Sequence, residues 1–342
     1  MNSTLNPLKR ICNVAVFASL LYLPLLSLAQ PQRPPRDSIP VTLVVGSPAP
    51  QLKVLKWLKG TPTDSFERGK VYVVEFWATW CWPCIESMPH LSNLAKKYND
   101  VTFIGVTAWE TSIADSQKAA EFVKVSGEMM AYSVAFADIR GDVPKQWLNA
   151  SGTKGIPASF VVDTSGKIGW MGMPYSGLED AIELARSGML TPLDSSVIKQ
   201  KYLQNYQQGV QIEGRLKVAL KEHRTQDAIQ LVDSMAQKWP YFAEYTASTK
   251  YALLTQVDAT AAKAYGEKIL QDYYNAPIVL KKVATYIVDP VGVWYPRDLI
   301  AKVSGPPDYQ FAKRLLLQAL QCTKPDRETE KYLKKIERKE TK

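Results

Sequence analysis

The run "KVYVVEFWATWCWPC", residues 70–84, restricts the fold most: a β-branched and aromatic stretch leads, after three residues, into two cysteines flanking a Trp-Pro pair. The first half reads as a strand. Proline just inside the next periodic segment marks a helix from Trp82 to about Tyr98. At such a junction Cys81 meets the unpaired N–H groups of a helix start, whose partial positive charge favours thiolate over thiol. Cys84, one turn in, is shielded and reacts second. Val71, Val73, Glu75 and Trp77 share one strand face, so an acid falls among apolar residues. Burial there would raise its pKa and let it accept a proton near neutral pH. The other reading is a half-exposed acid at a strand end, paired with a lysine.

The N-terminus is organised differently. Lys9 and Arg10 precede an apolar run from Ile11 to Leu28, broken by Pro24, and Ser27-Leu28-Ala29 supplies small residues. Residues 1–29 therefore read as a signal peptide cleaved before Gln30, which would make the product periplasmic or secreted. If the segment is retained, the protein is membrane-anchored. Residues 30–40 are a proline-rich linker. Removing residues 1–29 takes away Lys9, Arg10 and Cys12, which leaves 40 basic against 33 acidic residues, a charge of +7, and three cysteines. Those cysteines, with His90 and His223, offer no second ligand pair at zinc spacing, so no metal is assigned. No basic run is interleaved with aromatics, so no nucleic-acid partner is expected.

From 41 to 190, strand-like runs ("VTFIGVTAW", "SVAFAD", "ASFVVD", "KIGWMG") alternate with helical patterns around 113–126, 143–149 and 178–187, an α/β layout around a sheet. From 191 to 342 the strand signal fades and apolar residues recur at helical spacing. There "TQDAIQLVDSMAQKWP" and "DATAAKAYGEKILQDYYNAP" place Ala228 and Ala262 34 residues apart, and "YQFAKRLLLQALQCTKP" forms a third copy after an insert with "DPVGVWYP". This period is that of tetratricopeptide helix pairs. A plain bundle with alanines at helix contacts fits equally. Cys322, in the third copy, is left over as a buried or idle thiol, with intermolecular pairing as the alternative.

Several separate stretches resemble the TlpA/ResA-like branch of thioredoxin-fold thiol-disulfide oxidoreductases. "GSPAPQLKV" is similar to its lead-in, "ERGKVYVVEFWATWCWPC" to its strand and active site, and "GTKGIPASFVVDTSGKI" to its cis-proline segment; Pro89 matches the proline in its first helix. The resemblance covers residues 44 to 188. It implies a thioredoxin fold with a helix-strand unit inserted between Thr111 and Asp138, followed here by an all-α, helical-repeat-like domain. It further implies Cys81 as nucleophile, Cys84 as resolving cysteine and Glu75 as proton acceptor, with no cofactor beyond the Cys81–Cys84 disulfide. Pro157 would be the cis-proline and the Ile156 backbone an edge for an extended substrate. Trp77 would pack in the core, Trp80 would cover the pair, and Trp82 would be exposed or lie over the groove. Pro83 matches the reducing members, whereas Trp82 departs from the family's common pairs and leaves the potential open. Glu110, after "FIGVTAW", is a second acid that could lie near the site.

The expected partners are protein disulfides or dithiols, a membrane or periplasmic thiol electron donor, and a protein held on the helical domain. Two alternatives remain. A thiol peroxidase shares the core, but position 78 is Ala where that chemistry expects Thr. An interaction protein would hold a client on its helices without net redox work.

Overall fold

The computed structural model describes residues 40–110, 112, 115–137, 141–238, 240–289, 307–323 and 327–340. The signal-like segment, nearly all of the linker and most of "DPVGVWYP" lie outside them. Among the described residues six strands form one mixed sheet: β1 (Lys56–Lys59), β2 (Val71–Trp77), β3 (Val101–Thr107), β4 (Ser133–Phe136), β5 (Ala158–Val162) and β6 (Ile168–Gly172), in the order β1-β4-β3-β2-β5-β6. β2, β3 and β4 run parallel, while β1, β5 and β6 pair antiparallel. β2 is therefore central, and all seven of its residues are buried. A strand covered on both faces need not alternate in polarity, which is why it reads as a nearly continuous apolar run.

The faces of β2 feed two cores. Val71, Val73 and Trp77 pack with Met88 and Leu91 of α1 (Trp82–Lys97), Val123 of α2 (Asp115–Ser126) and Ile182 of α4 (Leu178–Arg186). Tyr72, Val74 and Phe76 face Trp147 and Leu148, in a π-helical turn that continues α3 (Asp142–Pro144). α2 and β4 stand between β3 and α3, so the expected helix-strand insert is present. β1 was not legible: four residues, "KWLK", two of them lysines, carry too little pattern, and an irregular ladder to β4 defines the strand.

Among the described residues seven helices follow: α5 (Pro192–Lys221), α6 (Thr225–Lys238), α7 (Pro240–Val257), α8 (Ala259–Asp272), α9 (Pro277–Val288), α10 (Tyr309–Ala319) and α11 (Arg327–Glu340). α5 starts on a capping box, in which Thr191 and Asp194 satisfy each other's backbone N–H, with Pro192 in the first turn. Its first turns pack on β6 and α4, and its last turns on α6. Sequence neighbours then pack on one another, α6 on α7, α7 on α8, α9 on α10 and α10 on α11. Ala228 and Ala262 are both buried, a condition that a repeat array and a plain bundle share. Among the described residues no helix is long and apolar enough to cross a membrane.

The helices also meet the sheet region through α1. Lys96 Nζ bridges Glu128 at 2.6 Å and the Tyr274 hydroxyl at 3.1 Å, and Lys282 Nζ lies 3.4 Å from Glu86 Oε1. Cys322 is a free, buried thiol in the same core as α1. Ile198 of α5 joins this core too, against Gly177, which precedes α4 at φ +98°. A Cβ at Gly177 would stand 2.2 Å from Ile198 Cγ2. Gly177→Ala should therefore destabilise the protein by about 1–3 kcal/mol, through the left-handed backbone and the clash together. Urea denaturation would read this as a lower midpoint with an unchanged slope; an unaltered midpoint would mean that α5 yields freely at this contact.

Candidate functional site

Between Trp77, the last residue of β2, and the start of α1 lie only Ala78, Thr79, Trp80 and Cys81. The Cys81 N–H donates to Ala78 O at 3.1 Å, which folds them into one tight turn. Cys81 is thereby the N-cap of α1, its Sγ accepting from the Cys84 N–H at 3.3 Å. Pro83 sits in the first turn, where a missing N–H costs nothing, and that turn carries no acid to oppose a thiolate. Cys81 and Cys84 are joined in a disulfide, with Cα atoms 5.3 Å apart. Both are buried.

The segment before β5 closes over the pair. The Ile156–Pro157 peptide is cis, and Ile156 O lies 3.6 Å from Cys81 Sγ. The structure thus brings Cys81, Cys84, Ile156 and Pro157 together. Trp80 and Trp82 are 56% and 55% exposed beside them, and Pro83 is exposed as well. The Trp80 indole donates to Trp109 O at 3.2 Å. Trp77 is in the core, its ring 5.5 Å from that of Phe122.

Glu75 is buried on the α1 face of β2. Opposite it on β5 stands Ser159, whose hydroxyl donates to Glu75 Oε2, while among the described residues Oε1 has no hydrogen-bond partner. Burial pushes the Glu75 pKa up to about 8, against the smaller pull of the Ser159 hydrogen bond. The half-exposed, lysine-paired reading of this acid is thereby removed. On its other side Glu75 is paired with Gly105 of β3, over which the rings of Tyr132 and Trp77 close. A Cβ on Gly105 would lie 2.9 Å from Tyr132 Cε2. Glu110 is also buried, but its oxygens are engaged by Thr79, at 2.7 Å from the N–H and 3.1 Å from the hydroxyl. Ser159 escaped the sequence reading; a polar residue two places beyond Pro157, within "ASFVV", is the signal by which it could have been found. Among the described residues no group of three or more His, Cys, Asp or Glu side chains is placed to hold a metal ion.

A sheet of this order, with a disulfide opening the helix after its central strand and a cis-proline beside it, defines a thioredoxin-like thiol-disulfide protein. The Redoxin family model matches residues 44–183, which leaves the helices after α4 unmatched. FixW of Rhizobium leguminosarum is 37% identical over 135 residues, 38% of this chain and 61% of that protein. ResA of Geobacillus thermodenitrificans, a thiol-disulfide oxidoreductase, is 33% identical over 131 residues, 37% of this chain and 67% of that protein. ResA of Bacillus subtilis is 29% identical over 126 residues, 36% of this chain and 64% of its own length. A solved structure, a putative thiol:disulfide interchange protein DsbE from Chlorobium tepidum, is 28% identical and covers 42% of this chain and 99% of its own, with a TM-score of 0.35. The chain belongs to the ResA-like family of thioredoxin-fold thiol-disulfide oxidoreductases, with an all-α extension after the thioredoxin fold.

The raised pKa of Glu75 has a stability consequence. The folded protein binds a proton that the unfolded chain releases near pH 4.5, so this contribution is complete below that pH and is lost as pH rises through about 8. Relative to Glu75→Gln, the oxidised wild type should lose stability between pH 5 and pH 9, on the order of 4 kcal/mol. Urea unfolding of both proteins at several pH values checks this, and parallel pH profiles would show that Glu75 is not buried as a carboxylic acid.

Proposed function

We propose that the protein is an extracytoplasmic thiol-disulfide oxidoreductase that reduces disulfides in other proteins. The observation that carries this reading is the Cys81–Cys84 disulfide at the N-terminus of α1, with the Ile156 carbonyl 3.6 Å from Cys81 Sγ. In the reduced protein the Cys81 thiolate attacks one sulfur of the target disulfide; that bond breaks, one target thiolate leaves, and a mixed disulfide forms. Cys84 then gives its proton to Glu75 and attacks Cys81 Sγ, which expels the second target thiolate. The target gains two electrons, and the pair, now oxidised, must recover them from a thiol donor.

With a pKa near 8 the carboxyl is mostly protonated at pH 7, and the minority carboxylate form, which grows as pH rises towards 8, is the proton acceptor. The backbone beside Pro157 offers an edge for an extended target segment, and the exposed Trp80 and Trp82 offer apolar contact around it. The N-terminal segment supports a location outside the cytoplasm, and the helical region supports a second, protein-holding role.

Cys84→Ser should leave a mixed disulfide that cannot be resolved, so target proteins should be recovered bound through Cys81 and released by reductant. Absence of such adducts, with Cys81→Ser behaving identically, would sink the exchange reading. Direction is a separate measurement: the potential of the pair in thiol buffers should fall near that of thioredoxin, about -270 mV, rather than the oxidant's value of about -120 mV.

A further inference from the structure

Glu110 lies off the end of β3, outside the helix that carries the cysteines, yet both of its oxygens serve one residue of the cysteine turn. Within the Ala78–Cys81 turn the closing hydrogen bond uses Cys81 N–H and Ala78 O. The Thr79 N–H, at the first corner, has no partner in the turn itself and needs one from outside. Glu110 Oε1 accepts it at 2.7 Å, and Oε2 accepts the Thr79 hydroxyl at 3.1 Å. The second corner is fastened from the same loop, by the Trp80 indole on Trp109 O at 3.2 Å. The Ala108 N–H on Trp77 O, at 2.7 Å, carries the β2–β3 pairing up to this point.

The loop is strained to make these contacts. Trp109 has φ +57°, a left-handed conformation uncommon for a bulky residue, and the chain there turns to aim a carbonyl and a carboxylate at the same two residues. Glu110 is 3% exposed, and a carboxylate so buried persists only with hydrogen bonds to compensate for lost water. The charges that act on it are those of Asp115 and Lys118, which pair with each other at 2.8 Å. A group that only stabilised the loop would have no reason to converge on the turn that sets the N-cap.

We propose that Glu110 is a positioning residue for the redox pair: it holds Thr79 and Trp80 so that Cys81 caps α1, where its thiolate faces the helix N–H groups. This rests on the exchange reading above for its use, though not for its test. It is a different role from that of a second proton acceptor: the two oxygens accept from Thr79, which fixes the turn. Charge and hydrogen bonding predict opposite outcomes here. Removing a carboxylate near Cys81 would by charge alone favour the thiolate, whereas releasing the turn would disfavour it.

The test is the pH dependence of Cys81 alkylation by iodoacetamide in the reduced full chain, with mass spectrometry reporting on Cys81 alone. Glu110→Gln can still accept the Thr79 N–H through its amide oxygen and donate to the hydroxyl, so its profile should stay at or below the wild-type midpoint. Glu110→Ala should raise the midpoint by about one pH unit and slow alkylation at neutral pH about tenfold. Equal profiles for Glu110→Ala and Glu110→Gln would overturn the proposal, whether both match wild type or both shift together. If Glu110→Ala does not fold, Thr79→Val carries the test, with a smaller upward shift expected and an unchanged profile overturning the proposal. Because alkylation needs no protein substrate, a wild type that titrates as expected but traps no target in Cys84→Ser would defeat the exchange reading and leave this one standing.

Discussion

Burial of β2 on both faces is the constraint on which the rest of the structure depends. A strand with no solvent face can tolerate an acid only where neighbouring strands make room and supply a partner. β5 supplies Ser159, and β3 supplies a residue without a side chain, Gly105, over which Tyr132 and Trp77 close. The register of the sheet and the chemistry of the site are thus one choice. A shift of β3 by one residue would bring Ile104 or Val106 beside Glu75, and the acid would have no place.

The cysteine pair is assembled from separated parts of the chain that converge on one end of β2. The turn after β2 and the first turn of α1 give the sulfurs their electrostatics, the 108–110 loop fixes that turn, and the Ile156–Pro157 peptide borders Cys81. Each part rests on a core already required by the sheet. Little beyond side-chain polarity has to be added to turn this corner of a folded domain into a reactive one.

Much of this was legible in the sequence because it is local. The strand, the turn and the helix start around Cys81 are written in consecutive residues, and Pro157 sits in a segment with its own pattern. Glu75 stood out because its neighbours two places away on either side, Val73 and Trp77, are apolar. What escaped depends on pairings between distant segments. β1 exists as a strand only because β4 offers an edge, Ser159 matters only because β5 lies opposite β2, and the engagement of Glu110 with Thr79 spans 31 positions. The helical region gave its helices through spacing but not its architecture, since buried alanines such as Ala228 and Ala262 serve repeats and bundles alike.

α5 bears on how a client, if the helices hold one as proposed, would meet the disulfide. Its 30 residues run without a break from the edge of the sheet to the first helix pair, a span of about 45 Å. Where a flexible tether would give a held molecule only a local concentration, a continuous helix gives it a heading. A protein held on the helices, the second role proposed above, would meet Cys81 from one direction and at one reach, so geometry as well as redox potential would decide which disulfides come to the pair.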